Sequence, residues 1–155
     1  MMHAVRLLRR DERGSSVIEM ALAAPILAAL LVGMVDLSRA YSAKLQLEQA
    51  AQRSIEYIQR NGFTPGNEDA LKSEAATPAG VATSAVTVTT WAECRTGTTV
   101  TTAGFTDPCS GADSYARYVS VDVQKSHSPF FRVSWDLKSA STNYVLHGKA
   151  AIRVQ

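Results

Sequence analysis

The peptide bond between Gly14 and Ser15 has the surroundings of a proteolytic processing site. Four arginines precede it within residues 1–14, and an apolar run follows it over residues 17–35, interrupted by the single carboxylate of Glu19. Glycine has no Cβ and lets the backbone extend into the site of a peptidase embedded in the membrane. These features indicate a processing site at this bond and not a part of a folded core.

The apolar run is long enough to cross a bilayer once. As an α-helix, residues 17–35 extend about 28 Å at about 1.5 Å per residue, close to the thickness of the hydrocarbon core. Glu19 lies near the start of this span, and a carboxylate in hydrocarbon is costly unless it has a partner. Cleavage after Gly14 would create such a partner in the α-amino group of Ser15. The arginines ahead of the span predict a cytoplasmic N-terminus and an exported C-terminal region.

Two other fates of the N-terminus remain open. A conventional signal peptide cut at the small residues in 38–42 also begins with a basic and an apolar segment. Its apolar segment is usually shorter, about 7 to 15 residues, and here Asp36 and Arg39 would precede the cut. An uncleaved signal anchor also fits a basic flank followed by an apolar span. Only the spacing of Glu19 from Gly14 argues against that alternative.

The N-terminal region also carries a set of residues that point to a known family. These are Gly14, Glu19, Pro25, Gly33, Asp36 and Arg39, followed by the stretch Ala50-Ala51-x-Arg53. With them the chain resembles the TadE-like pseudopilins of the tight-adherence (Flp-type IV) pilus, most strongly over residues 10–60 and more loosely in its last strand. The resemblance implies that prepilin peptidase cuts between Gly14 and Ser15 and leaves the helix attached.

The resemblance further implies partners and a location. The partners would be prepilin peptidase, other Tad/Flp pilins and pseudopilins, the inner-membrane assembly platform and membrane lipid. The protein would cross the bacterial inner membrane once, with its C-terminal domain in the periplasm, and would either stay there or enter a surface pilus. We therefore predict a minor pilin or pseudopilin that acts in the assembly or initiation of an adhesive pilus. The alternative is a membrane-anchored periplasmic binding module with no filament role.

The charge of the chain argues against binding to nucleic acid. Residues 1–14 hold four of the 16 basic side chains and two of the 14 acidic ones, which leaves 12 of each from Ser15 onward. A balanced exported region offers no basic stripe for phosphates. The part of the chain beyond the span is long enough for one domain with a modest core.

The two cysteines, Cys94 and Cys109, flank a segment rich in threonine, glycine, aspartate and proline. In an oxidising compartment they are expected to form a disulfide that closes a flexible polar loop. Such a bridge would stabilise the domain by about 3 kcal/mol in the chain-entropy model. Two free thiols are the alternative. Two cysteines alone make no metal site, and their spacing is not that of a Cys-x-x-Cys redox pair.

The helix is predicted to continue beyond the span. Apolar residues recur at steps near three and four at Leu37, Tyr41, Leu47, Ala51, Ile55 and Ile58. This spacing predicts an amphipathic helix to about Arg60, with Asn61-Gly62 as its C-terminal stop. The whole helix over residues 15–61 would be about 70 Å long. Pro25 would either loosen this helix within the span or be tolerated there, as in other membrane helices.

Shorter elements follow the long helix. Asn67 and the two acidic residues after it predict a capped short helix around residues 70–76, which residues 77–80 end. Alternating apolar residues predict strands at Val86 and Val88, at Val119, Val121 and Val123, at Phe131, Val133 and Trp135, and along residues 144–154. Strands of this kind predict an antiparallel sheet with one face packed on the exported half of the helix. The predicted fold class is α+β, with residues 62–155 as one small exported domain.

The sequence contains no catalytic motif and predicts a protein that is not an enzyme. The three histidines, His3, His127 and His147, are interpreted as ordinary surface residues, with His127 in a Ser-Pro turn and His147 on the polar face of the last strand. No phosphate-binding loop, nucleophile elbow or metal-binding helix motif is present, so no cofactor or metal is expected. The aromatic residues Trp91, Phe130, Phe131 and Trp135 are assigned to the core or an interface in preference to a ligand site.

Overall fold

The computed structural model of the protein describes residues 15–129 and 143–154. Within these residues it has helices α1 (Ser15–Asn61) and α2 (Glu68–Ala79), a 3-10 turn at Thr83–Ala85, and strands β1 (Val86–Thr96), β2 (Thr99–Ala103), β3 (Ser114–His127) and β4 (Tyr144–Arg153). The strands form one antiparallel sheet in the order β2-β1-β3-β4. One face of this sheet packs on α1 and α2, which confirms the predicted α+β fold.

Helix α1 has two halves with different surroundings. In its N-terminal half the apolar side chains from Val17 to Val35 are exposed. In its C-terminal half Leu47, Ala51 and Ile58 are buried. Among the described residues, α1 is the only helix long and apolar enough to cross a membrane, and none of its most apolar 18-residue window is buried in the protein.

The predicted end of α1 is confirmed. Gly62 has a φ of +74°, a backbone conformation that glycine adopts without strain. Its N–H donates to the carbonyl oxygen of Ile58 at 2.8 Å, so a carbonyl of the last turn is satisfied. The predicted apolar stripe is correct from Leu47 onward but wrong at Leu37 and Tyr41, which are exposed because this part of α1 lies beside the end of the sheet.

The core lies between the C-terminal half of α1, helix α2 and the inner face of the sheet. Its fully buried larger side chains are Leu47, Leu71, Val119, Val121 and Val123. Alanines fill the remaining helix positions at Ala50, Ala51, Ala75, Ala76 and Ala79. Such small side chains let the two helices approach closely, so the modest core is dense where α1, α2 and β3 meet.

Helix α2 is longer than predicted at both ends. It begins at Glu68, and Asn67 occupies the predicted cap position, but the Asn67 side chain makes no capping hydrogen bond. The acidic first turn is present in Glu68 and Asp69. The helix extends past Pro78, which is tolerated near its end, and stops at Gly80 with a φ of +60°.

The segment between the two cysteines is not the predicted open loop. It contains β2, which pairs with β1 from Thr96↔Thr99 to Ala92↔Ala103. The turn of this hairpin contains Gly97, whose φ of +59° suits a tight turn between antiparallel strands. The threonines and valine of residues 98–102 are β-branched and favour a strand, a local signal that the polar composition had concealed.

The predicted strands at Val86 and at Val119, Val121 and Val123 are confirmed as β1 and β3. The alternation along residues 144–154 is also confirmed: Leu146, Ala150, Ile152 and Val154 pack against the core, and His147 and Lys149 lie on the other face. The strand predicted around Phe131, Val133 and Trp135 lies outside the described residues.

Strand β4 runs alongside α1 in the same direction. Tyr144 and Ala40 line one cavity, Gly148 lies on Leu47, and Val154 and Phe63 line another cavity. From Ala40 to Asn61 the helix rises about 31 Å, and from Tyr144 to Val154 the strand extends about 33 Å. The sheet therefore has one end beside the start of the C-terminal half of α1, and its other end lies near the end of that helix.

Candidate processing and assembly site

The described part of α1 begins at Ser15, the residue that would become the N-terminus after the predicted cleavage. Gly14 lies outside the described residues. Glu19 is one helical turn beyond Ser15, and residues four apart lie on the same side of a helix. Leu22, three residues further along and on the same side of the helix, is exposed and apolar. The carboxylate is therefore set in an apolar surface, near the start of the candidate span.

The apolar half of α1 offers its whole circumference to its surroundings. Exposed apolar side chains occur all around it, as shown by Leu22, Leu27, Leu30, Val32 and Val35. A helix that is apolar on every side is typical of a membrane span or of a helix packed among others. Pro25 lies in this half and lacks the N–H that would bond the carbonyl of Ala21, so one helical hydrogen bond is missing there.

Asp36 and His127 meet where the apolar half of α1 ends. Asp36 Oδ1 and His127 Nε2 lie 3.7 Å apart, and each side chain is largely buried. Within the described residues neither atom makes a hydrogen bond. The interpretation of His127 as a surface residue in a turn is wrong, because it is the last residue of β3 and faces the helix. Sequence reasoning missed this contact because it joins positions far apart in the chain.

A cavity of about 310 Å³ lies next to this contact. It is lined by Asp36, Leu37, Ala40, His127, Pro129, Tyr144 and Leu146. Most of these side chains are apolar, and they come from the helix and from the adjoining ends of β3 and β4. We call this end of the domain, formed by Asp36, Leu37, His127, Tyr144 and Val145, the base.

The disulfide between Cys94 and Cys109 is present, with a Cα–Cα distance of 5.5 Å. Cys94 lies on β1 among core residues, and Cys109 lies in the connection between β2 and β3. The same connection is held to β1 by a hydrogen bond from the N–H of Asp113 to the carbonyl of Arg95 at 2.8 Å. The bridge therefore fixes a connection that has few core contacts of its own.

Trp91 is not a core residue. It lies on the sheet face turned away from α1 and stacks on Tyr118, with ring centroids 5.3 Å apart and planes 16° apart. Its indole N–H donates to Glu93 Oε1 at 3.4 Å. Beside this pair, Glu93, Arg95, Tyr118 and Arg153 line a groove of about 240 Å³. Phe130, Phe131 and Trp135 lie outside the described residues.

His147 is on the polar face of β4, as predicted. Its Nδ1 lies 3.1 Å from Asp122 Oδ1, and Lys149 Nζ lies 3.3 Å from Asp122 Oδ2. This is an exposed cluster of one carboxylate and two basic side chains on neighbouring strands. In residues 15–129 and 143–154, no three His, Cys, Asp or Glu side chains lie close enough together to hold a metal ion.

Comparison with known proteins identifies the N-terminal region. Residues 14–55 match the family model described as TadE-like protein. The match begins at Gly14 and ends within the part of α1 that packs on the sheet, so it confirms the resemblance over these residues. No curated protein and no solved structure matches the chain.

Proposed function

We propose, from the match of residues 14–55 to TadE-like proteins, that this protein is a minor pilin or pseudopilin of a Tad/Flp pilus. In this proposal, prepilin peptidase cleaves it between Gly14 and Ser15, and the mature chain keeps α1 as its membrane anchor. It takes part in the assembly or initiation of an adhesive pilus and catalyses no reaction itself.

The observation that carries the proposal is the division of α1 into an exposed apolar half and a buried amphipathic half. The apolar half has the length of one membrane span. None of its most apolar 18-residue window is buried by the rest of the protein. The other half forms one wall of the core. A single continuous helix therefore joins the membrane to a small exported domain. This architecture suits a subunit that is stored in a bilayer and assembled through its helix.

Glu19 is proposed to act in assembly. A carboxylate in hydrocarbon costs about 2.5 to 3.5 kcal/mol at a helix centre on insertion scales, so its presence favours a partner. The amine of Ser15, formed by cleavage, is largely cationic at neutral pH. In a neighbouring subunit the same amine lies in the same membrane layer. Pairing between the two groups would set the relative height of adjacent subunits, which is a registry role for a buried ion pair.

The remaining features of the proposal are location and partners. The basic leader favours a cytoplasmic N-terminus, so the sheet domain would be periplasmic. The disulfide between Cys94 and Cys109 suits that oxidising compartment. The proposed partners are the peptidase, other Tad/Flp pilins and pseudopilins, and the inner-membrane assembly platform, together with the surrounding lipid.

The substitution Gly14→Val tests the processing step. Co-expressed with a prepilin peptidase of a Tad system, the unmodified chain is expected to lose its leader, and the Gly14→Val chain is expected to keep it while remaining in the membrane. Gly33→Val is the matched control, because Gly33 has open space around it and lies far from the cleaved bond. Processing of the Gly14→Val chain at the unmodified rate would reject the cleavage site.

A second candidate function is favoured by the stacked Trp91 and Tyr118. This aromatic pair borders a groove on the uncovered sheet face, where Arg95 and Arg153 could add contacts to a bound molecule. It fits a membrane-anchored binding module without a filament role. Piliation of the variants Trp91→Ala and Glu19→Ala distinguishes the pilin from the binding module. Loss of piliation only in Glu19→Ala supports the pilin, and normal piliation in both supports the binding module.

A further inference from the structure

We propose that the base of the sheet domain rests on the membrane and contacts the lipid headgroup layer through Leu37, Tyr144 and Val145. Two parts of the protein would then contact the bilayer: the span of α1 and one end of the sheet. This inference rests on the proposed function, since it requires residues 17–35 to lie in the bilayer.

The contact between Asp36 and His127 sets the height of the base. Asp36 is the first residue after the candidate span, and the 3.7 Å approach brings the end of β3 to the same level. Tyr144, the first residue of β4, is paired with His127 and lines a cavity with Leu37 and Ala40. The headgroup layer is about 5 to 8 Å deep on each side of the hydrocarbon. Helix residues 36–40 rise about 6 Å, so the base falls within that layer.

Exposed apolar side chains are present both at the end of the span and on the base. Val35 ends the span, and Leu37 follows on the helix at 72% exposure. Tyr144, which lines a cavity with Leu37, and the next residue of the strand, Val145, are 60% and 57% exposed. Tyrosine is enriched where membrane and water meet, because its ring is apolar and its hydroxyl can stay hydrated. An apolar surface at this height is therefore suited to lipid.

The charges near the base do not favour an anionic partner. Asp36 faces His127, and Arg39 is one turn away on the helix. Higher up, Lys44 is paired with Glu48 at 3.7 Å, and Lys125 Nζ donates to the carbonyl of Ala79 at 3.2 Å. Among the described residues of the base there is no cluster of basic side chains that would bind acidic lipids. We expect the base to rest equally well on zwitterionic and on anionic headgroups.

The experiment uses the full chain in zwitterionic bicelles that contain a lipid with a nitroxide on its headgroup. Amide NMR signals near the nitroxide lose intensity. The signals of Tyr144 and Val145 are expected to be lost, and those of Val100 are expected to persist. Val100 is the matched internal control, because it is also an exposed apolar strand residue but pairs with Arg95 at the opposite end of the sheet. Adding anionic lipid should not change this pattern.

Signals from the span separate this inference from the proposed function. With a nitroxide on the lipid acyl chain, Leu31 should lose intensity if α1 crosses the bilayer. If Leu31 is lost but Tyr144 and Val145 keep their signals with the headgroup label, the domain stands clear of the membrane and the inference is wrong. If Leu31 is unaffected, the span itself is rejected, and the proposed function falls with it.

Another outcome would assign the base to a second protein copy. Tyr144 and Val145 would then be shielded from a soluble paramagnet but would keep their signals beside the nitroxide lipid, which overturns the lipid assignment. The variant Tyr144→Ser with Val145→Ser supplies a second measurement. In the proposed arrangement it raises the access of the soluble paramagnet to the amides of residues 143–146, whereas Val100→Ser leaves their access unchanged.

Discussion

Gly148 of β4 lies directly against the backbone of α1 at Leu47. A Cβ added to Gly148 would overlap the carbonyl group of Leu47 and would lie 2.5 Å from the backbone nitrogen of Glu48. The strand can approach the helix this closely only because position 148 has no side chain. This contact joins the sheet to the same helix that carries the candidate span, so it fixes how the sheet domain is attached to that helix.

The substitution Gly148→Ala is therefore expected to destabilise the docking of β4 on α1. Overpacking costs about 1 to 3 kcal/mol where side chains can adjust, and here the obstacle is backbone, so we expect about 3 kcal/mol or more. Chemical denaturation of the full chain in detergent, followed by circular dichroism, measures the loss. Ala151→Val is the matched control, since it adds volume to the exposed face of the same strand and should change stability by less than about 0.5 kcal/mol. Equal effects of the two changes would contradict the proposed role of Gly148.

Ser54 links the two helices inside the core. Its hydroxyl is fully buried and donates to the carbonyl oxygen of Leu71 at 2.9 Å. Ser54→Ala removes this bond, and we expect a loss of about 1 kcal/mol in the free energy of unfolding. Ser73→Ala is the control, because it makes the same change at an exposed position of α2. If the two variants are equally stable, the hydrogen bond makes no net contribution.

Removal of the disulfide should destabilise the domain without changing its fold. Closing a loop of this length stabilises the folded domain by about 3 kcal/mol in the chain-entropy model. Cys94→Ser and Cys109→Ser should therefore lower the free energy of unfolding by similar amounts. Non-reducing electrophoresis should show a faster oxidised monomer that each substitution abolishes. Quantitative alkylation of both cysteines in the unreduced protein would contradict the bridge.

Local patterns predicted most of the fold. The spacing of apolar residues predicts the long helix, and Gly62 predicts its end. Both predictions depend only on residues that are close together in the sequence. The alternation of apolar and polar residues predicts β1, β3 and β4 for the same reason. The hairpin at β2 differs from the expected polar loop because threonine is polar, yet its branched side chain favours strands.

The contacts that connect distant elements could not be predicted in this way. The approach of Asp36 to His127 depends on how the sheet is placed along α1, and no local pattern reports that placement. The contact of Gly148 with Leu47 likewise depends on the register of β4 on the helix. At the candidate site, Gly14 and Glu19 are predicted from the sequence alone. Gly14 is proposed to be recognised by a peptidase, and Glu19 is proposed to pair with a neighbouring subunit.

Glu19→Gln is expected to impair assembly and to leave insertion intact. The amide keeps the size of the side chain but removes its charge, so the proposed pair with the amine of a neighbouring subunit is lost, and insertion should become easier. Co-purification with partner pilins and counts of surface pili measure the effect. Glu48→Gln makes the same change in the C-terminal half of α1 and should assemble normally. A carboxylate that merely reaches toward the membrane surface would instead give normal association and normal pili in Glu19→Gln.

Intact-mass measurement of the membrane-extracted protein, from cells that contain its peptidase, tests the central claim most directly. We expect a mature chain that begins at Ser15 and retains the whole of α1, with Cys94 and Cys109 oxidised. A chain that begins at Met1 would identify an uncleaved anchor, and one that begins near Tyr41 would identify a conventional signal peptide. Either result would contradict the assignment of this protein as a processed pilin-like subunit.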